Sequence, residues 1–179
     1  MKIFIATGTQ LAFDRLIKGV DAWAADHPEA EIFAQVGPSG YKPEHMESQG
    51  YIAPQVFERR STEADLIIAH AGTGTIFTAL EKRKPIIVMP RLHKYGEHRN
   101  DHQVATVERF KTIAGVNVAH DEDELRRLLD DFEGLSRPNA ALDPHARPEL
   151  LEALSAYINE APRLRKRDRV AKLLRSLRP

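Results

Sequence analysis

Residues 65–89 read DLIIAHAGTGTIFTALEKRKPIIVM. Asp65–Ala69 has the unbroken apolar character of a strand buried on both faces. Thr75–Lys82 reads as a short helix, and Pro85–Met89 as a second buried strand closed by Pro90. Strand, helix, strand with short links is the unit from which parallel sheets are built. Between the first strand and the helix lie His70, Ala71, Gly72, Thr73 and Gly74. A simple reversal needs one glycine at most, so this loop is read as one that lets backbone amides approach something closely.

The same alternation continues in both directions. Lys2–Ala6 (KIFIA) reads as a strand, and Phe13–Ala25 as a helix with Phe13, Leu16, Ile17, Val20 and Trp23 at helical spacing. Glu31–Val36 is a strand that ends in the turn-rich GPSGYKP. Pro54 suits the first turn of a helix reaching Glu63. After RLHKYGEHRN come a helix near Asp101–Lys111, a strand at Gly115–Ala119, and HDEDELRRLLDDF, a helix with Asp121 as N-cap and Glu124 closing a capping box. Residues 136–148 are Pro-rich and loop-like, and Glu149–Ile158 is helical in pattern. The expected fold class is α/β, a Rossmann-like doubly wound parallel sheet. Residues 1–135 would form the domain, and 136–179 a Pro-rich segment with a basic amphipathic tail.

The 179 residues suffice for one core, and 42% hydrophobic with 29% charged residues is a soluble composition. There is no cysteine, which removes disulfide and thiolate chemistry. The start MKIFIATGTQ is too short in its apolar part for a signal peptide, and no apolar run approaches about 18 residues. The zero net charge hides an asymmetry. From Arg163 onward eight Lys or Arg stand against the single acid Asp168, so residues 1–162 carry the balancing negative charge. Leu173, Leu174 and Leu177 fall at helical spacing among these cations, which fits an anionic membrane surface, an acidic partner or a plain solvated helix. Nucleic acid is not expected as a partner, because the body is acidic and has no aromatic stacking platform.

Ligands of open α/β sheets sit beyond the carboxyl ends of the strands. Two loops there share one grammar, ATGTQ after the first strand and HAGTGT after the third. A helix N-terminus exposes unpaired N–H groups and a partial positive charge, so the second loop suits an anion such as a diphosphate. The plain alternative is a tight strand-to-helix turn with threonine capping. A dinucleotide fingerprint is not formed, because position 77 is Phe where G-x-G-x-x-G needs its last glycine.

TGTQLAFDRLIKGVD, AQVGPSGYKP, ADLIIAHAGTGTIFTALEKRKPIIVMPR and KYGEHRNDHQVA resemble successive blocks of the glycosyltransferase family 28 C-terminal domain. Within it the chain is similar to the small donor-binding subunits of two-part exopolysaccharide glycosyltransferases and to the UDP-GlcNAc-binding subunit of dolichol-linked chitobiose synthesis. The resemblance covers about residues 1–130 and implies the C-terminal, donor half of a GT-B glycosyltransferase. It implies a hexose-type sugar moved from a UDP-sugar, with inversion and without metal or other cofactor, to a lipid-linked acceptor held by a separate acceptor-binding subunit. It further implies a cytoplasmic protein recruited to the inner face of the cytoplasmic membrane.

By position, the resemblance places Gly8, Thr9, Gly72, Thr73, Gly74 and Thr75 at the phosphates, Tyr51 and Ile52 at the uracil, and Gln103 at the sugar hydroxyls. His98, Asp101 and His102 would reach the sugar or a phosphate. Relatives carry a glutamate for the ribose inside the helix after the glycine loop, where this chain has Thr78. His70 is read either as a ligand contact or as a core histidine holding its loop. Three other readings of these residues stand beside that one. Asn100 and Gln103 match a capping box. The cluster His93, Glu97, His98, Asp101, His102 could ligate a metal in a hydrolase, although HExxH is absent. The whole chain could be a nucleotide-sugar-binding regulatory module. No catalytic residue is assigned, since no nucleophilic triad or carboxylate pair is visible in the spacing.

Overall fold

The alternating pattern resolves, in a computed structural model that describes residues 1–139, into six strands and five α-helices. They run β1 (Lys2–Ala6), α1 (Asp14–Ala25), β2 (Glu31–Gln35), β3 (Glu47–Gln49), α2 (Pro54–Glu63), β4 (Leu66–His70), α3 (Thr73–Glu81), β5 (Ile86–Met89), α4 (His102–Phe110), β6 (Val116–Val118) and α5 (Glu122–Asp130). All pairs are parallel, in the order β3-β2-β1-β4-β5-β6. The expected tail helices at 149–158 and beyond 163 lie outside the described residues.

Side-chain alternation along each strand divides the core in two. Ile3, Ile5, Leu66 and Ile68 face α1 and α5, where Leu16, Ile17, Val20, Leu125 and Leu129 cover them. Phe4, Ala6, Ile67 and Ala69 face the other layer, with Ile76, Leu80 and Val107. Both faces of the sheet are therefore buried, which explains why β4 and β5 read as continuous apolar runs. The order reverses between β1 and β4, whose registers pair Ile3 with Leu66 and Ala6 with Ala69. The loops after these two neighbouring strands are the two small-residue loops. The fold brings them side by side at the switch point of the sheet.

Some boundaries differ from the pattern. α3 begins at Thr73, two residues before expectation, so Thr73, Gly74 and Thr75 form its first turn. β3 was not legible, because all three of its residues are exposed on the sheet edge and carry no apolar signal. Asp121 does cap α5, accepting from the Glu124 N–H at 2.8 Å. The reciprocal bond is shifted by one residue, with Glu124 accepting from the His120 N–H at 2.8 Å. At the other end of the domain Ser136 bonds both Gly115 and Asn117, so the chain beyond α5 returns to the edge strand β6.

α3 ends with Arg83 in the left-handed region at φ 56°. Its N–H donates to Leu80 and that of Lys84 to Ala79, which closes the helix at the cost of a strained non-glycine residue. Arg83→Gly relieves that strain and should stabilise the fold by about 1 kcal/mol in urea denaturation. An unchanged or lowered midpoint would contradict this account of the helix end.

Candidate functional site

The loop after β1 is organised by a side chain with no obvious sequence signature. Gln35, at 4% exposure, accepts the Gly8 N–H at 3.2 Å and donates to the carbonyls of Gly8 and Gly50 at 2.9 Å each. Gly8 sits at φ 84°, where glycine is needed, and its own amide is engaged by Gln35. The amides of Thr9 and Gln10 have no partner among the described residues. Through Gly50 the same glutamine fixes the segment carrying Tyr51 and Ile52 beside the Gly8 loop.

After β4, the imidazole of His70 fills the space between the two loops. A Cβ on Gly72 would lie 2.3 Å from its Nε2, and a Cβ on Gly8 2.9 Å from its Cε1. Two of the glycines are thus required by a histidine packed between backbones. Gly74 is different, with nothing within 4 Å of its would-be Cβ. Its bareness leaves open space before the first turn of α3, where the N–H groups of Thr73, Gly74 and Thr75 have no partner among the described residues. Four residues into the helix, the Thr78 hydroxyl donates back to the Gly74 carbonyl at 3.0 Å.

The remaining wall comes from the segment after β5. Arg91 is 3% exposed, and its guanidinium donates to the carbonyls of Thr7, Leu11 and Ala12 at 2.6–2.7 Å and of Glu97 at 3.2 Å. Burial pulls its pKa down to about 10, with the Glu97 charge opposing, so it stays protonated at neutral pH. Gln103, at 4% exposure, accepts the Arg91 N–H at 3.0 Å. The capping-box reading of Asn100 and Gln103 is thereby corrected. Asp101 is the N-cap residue of α4, and Gln103 turns inward to Arg91 because it lies on the helix face against the sheet.

The histidine cluster disperses. Asp101 accepts the His93 N–H at 2.7 Å, His93 bonds the His98 carbonyl, and His102 bonds Asn100. Glu97 turns away into a two-bond pair with Arg15 at 2.8 and 3.0 Å. Among the described residues no three His, Asp or Glu side chains are grouped to hold a metal. His98 and His102 pack edge to face at 4.4 Å, and the Nδ1 of His98 is buried without a partner.

These elements enclose a cavity of about 450 Å³ at the carboxyl ends of β1, β4 and β5. Of the residues expected there, Gly8, Thr9, His70, Gly72, Thr73, Gly74, Thr75, His98, His102 and Gln103 line it. Asp101, Tyr51 and Ile52 do not; Tyr51 is exposed and Ile52 packs on the core beside α2. Arg91 lines it unexpectedly, and Gln35 supports it from below. Its chemistry is that of an anion site, with free amides, hydroxyls and one buried cation. Burial, Arg91 and the nearby histidines push the His70 pKa down to about 4. Burial and the charges of His102, Arg91 and Arg99 lower that of His98 as well.

The sequence model of the glycosyltransferase family 28 C-terminal domain matches residues 2–147. No curated protein is significantly similar in sequence. Among solved structures the chain is similar to ALG13, at 18% identity and TM-score 0.56, covering 80% of this chain and 91% of that one. It is also similar to MurG of Acinetobacter baumannii, at 21% identity and TM-score 0.53, covering 74% of this chain and 41% of MurG. The glycotransferase of kitacinnamycin matches at 17% identity and TM-score 0.55, covering 99% of this chain and 43% of that one. The chain therefore spans about two fifths of the length of the latter two proteins.

Two outcomes test the packing of this site. Gly72→Ala should lower the thermal midpoint by several degrees, because the new methyl meets the His70 ring, whereas Gly74→Ala should leave it within about a degree. Equal effects of the two would refute the distinction. The His70 pKa is lower in the folded than in the unfolded chain, so folding strength is full above pH 6.5 and falls as pH drops toward 4. Urea titrations over that window should show a shallower decline for His70→Gln than for the wild type. Parallel pH curves would contradict a buried neutral imidazole.

Proposed function

The chain belongs to the glycosyltransferase family 28 C-terminal domain family, and from that membership we propose that it is the donor-binding subunit of an inverting, metal-independent glycosyltransferase. It takes a hexose-type sugar from a UDP-sugar and acts with a separate acceptor-binding subunit on a lipid-linked acceptor at the cytoplasmic face of the membrane. The observation that carries this reading is the free first turn of α3. Three unpartnered amides face a cavity in front of a glycine that nothing inside the fold requires.

The chemistry follows from that geometry. When the bond from the anomeric carbon to the diphosphate breaks, negative charge grows on the leaving oxygen. The amides of Thr73, Gly74 and Thr75, with the dipole of α3 behind them, stabilise that charge without reorganising. Arg91 adds a fixed positive charge in the cavity wall. His70 and His98, held neutral by burial and nearby cations, leave the diphosphate charge to the amides and Arg91. The Gln103 amide nitrogen, free of partners among the described residues, is the group suited to a sugar hydroxyl. The Gly8 and Gly50 loops, joined by Gln35, form the side suited to the uracil near Tyr51 and Ile52.

Deprotonation of the acceptor hydroxyl and stabilisation of the leaving diphosphate must meet in one closed cleft. The partner subunit is proposed to supply the base.

Isothermal calorimetry with UDP and a panel of UDP- and GDP-sugars, without added metal, tests the donor reading. UDP should bind, and Gly74→Asp should weaken UDP by roughly tenfold, about 1.4 kcal/mol, with an unchanged melting midpoint. A folded Gly74→Asp protein with wild-type affinity would overturn the site. The purified chain with radiolabelled UDP-sugar and membrane lipid should transfer nothing until the partner is added. Transfer by the chain alone would overturn the division of labour.

A further inference from the structure

A second hollow, of about 670 Å³, lies on the other side of the wall that bounds the donor cavity. The wall is one backbone thick at two places. Leu11 lines the first cavity and Ala12 the second, and His98 lines the first while Glu97 lines the second. Arg91 sits inside this partition, bonding the carbonyls of Leu11, Ala12 and Glu97. Whatever occupies the second hollow therefore lies directly beside the donor.

The hollow has a distinctive lining. Tyr95 is 57% exposed on the short helical turn His93–Tyr95, and Gly96 at φ 70° brings the next residue back inward. That turn is pinned from below. Glu97 accepts two bonds from Arg15 and a third from the Leu92 N–H at 2.9 Å, and Arg15 also reaches the Pro90 carbonyl at 3.0 Å. The Tyr95 ring projects from this pinned turn, with the Arg15 guanidinium 5.1 Å and the Lys94 ammonium 4.7 Å from its centroid and its hydroxyl unpartnered among the described residues. Around it stand Lys18 and the half-exposed carboxylate of Glu122, 3.6 Å from Arg15. The lining sets the carboxylates of Asp14, Glu97 and Glu122 against Arg15 and Lys18, with Glu97 taken up by Arg15, so the rim carries no large net charge and does not favour a strongly charged guest.

An exposed aromatic face on a preorganised turn, ringed by both hydrogen-bond donors and acceptors, is the chemistry that recognises a neutral carbohydrate. The apolar C–H face of a pyranose stacks on the ring while its hydroxyls meet the charged rim. We propose that this hollow is a glycan subsite, holding trailing sugars of the acceptor while its terminal hydroxyl reaches over the partition to the donor. The inference rests on the glycosyltransferase reading and extends it, since the acceptor is then gripped by this chain as well as by the partner. Tyr95 is the main contact, and the Arg15–Glu97 pair positions it.

The test is an amide-resolved NMR titration of the full chain with cellotetraose and N-acetylchitotetraose as probes and glycerol as the polyol control. Either oligosaccharide should shift the amides of Tyr95, Gly96, Lys18 and Glu122, and glycerol should not. Tyr95→Ala should weaken that response by about tenfold. Tyr95→Phe, which keeps the ring, should retain most of it. UDP added to the same samples should shift Thr73–Thr75 in all three proteins, so loss of the donor site is read separately from loss of this one. Absence of oligosaccharide shifts at Tyr95 overturns the proposal. Equal responses in wild type and Tyr95→Ala overturn it too. So does a Tyr95→Ala protein that responds normally to sugar but fails to co-purify with the partner subunit, which would make the turn a protein-docking surface.

Discussion

The guanidinium of Arg91 is taken out of water with no carboxylate bonded to it among the described residues, and four backbone carbonyls replace its hydration. A buried charge is tolerated only when its donors are satisfied, so these carbonyls must stay where they are. They belong to the loop after β1 and to the segment after β5, two parts of the chain about 80 positions apart in sequence. The clamp bends the Thr7–Ala12 loop around the end of the sheet and fixes the partition between the two hollows. Gln103 secures the Arg91 backbone from α4, and the Arg15–Glu97 pair secures the following turn from α1. Removing the Arg91 side chain would release four carbonyls at once.

His70 is the second constraint, and it works by volume. Its ring is wedged against Gly8 and Gly72, which sets the spacing between the two loops. Because it is neutral and packed, it shapes the anion cavity without adding a charge. The positive character then comes from fixed sources, the amides of the first turn of α3 and the side chain of Arg91. Donors held in place before the ligand arrives are the arrangement that stabilises a leaving diphosphate most effectively. Gly74, which unlike Gly8 and Gly72 has open space where a side chain would stand, keeps those amides reachable.

Much of this was legible in the sequence, for physical reasons. Doubly buried strands must be apolar nearly throughout, so β1, β4 and β5 announced themselves at Lys2–Ala6, Asp65–Ala69 and Pro85–Met89, within a residue of their observed bounds. The small-residue loops marked the carboxyl ends and hence the cavity, since only a close approach of backbones calls for such residues. The reason for two of those glycines was not legible, because His70 acts on them across the fold rather than along the chain. Gln35, Arg91 and the Arg15–Glu97 pair were missed for the same reason. Each is a polar residue with deciding partners far along the chain, 15 and 27 positions away for Gln35, 79 to 84 for Arg91 and 82 between Arg15 and Glu97, and periodicity carries no trace of them. The Asn100–Gln103 pattern misled because local spacing fits a capping box while burial sends Gln103 elsewhere. The edge strand β3 was invisible because three exposed polar residues on a sheet margin follow no apolar rhythm.

Where a nucleoside diphosphate sits decides the role of the cavity. A crystal structure of the chain grown with UDP answers this directly. The diphosphate should span the amides of Thr73, Gly74 and Thr75 in front of Gly74, above His70, with the nucleoside directed toward the Gly8 and Gly50 loops. Density for the diphosphate elsewhere, whether in the hollow beside Tyr95 or away from the carboxyl ends of the strands, would contradict it.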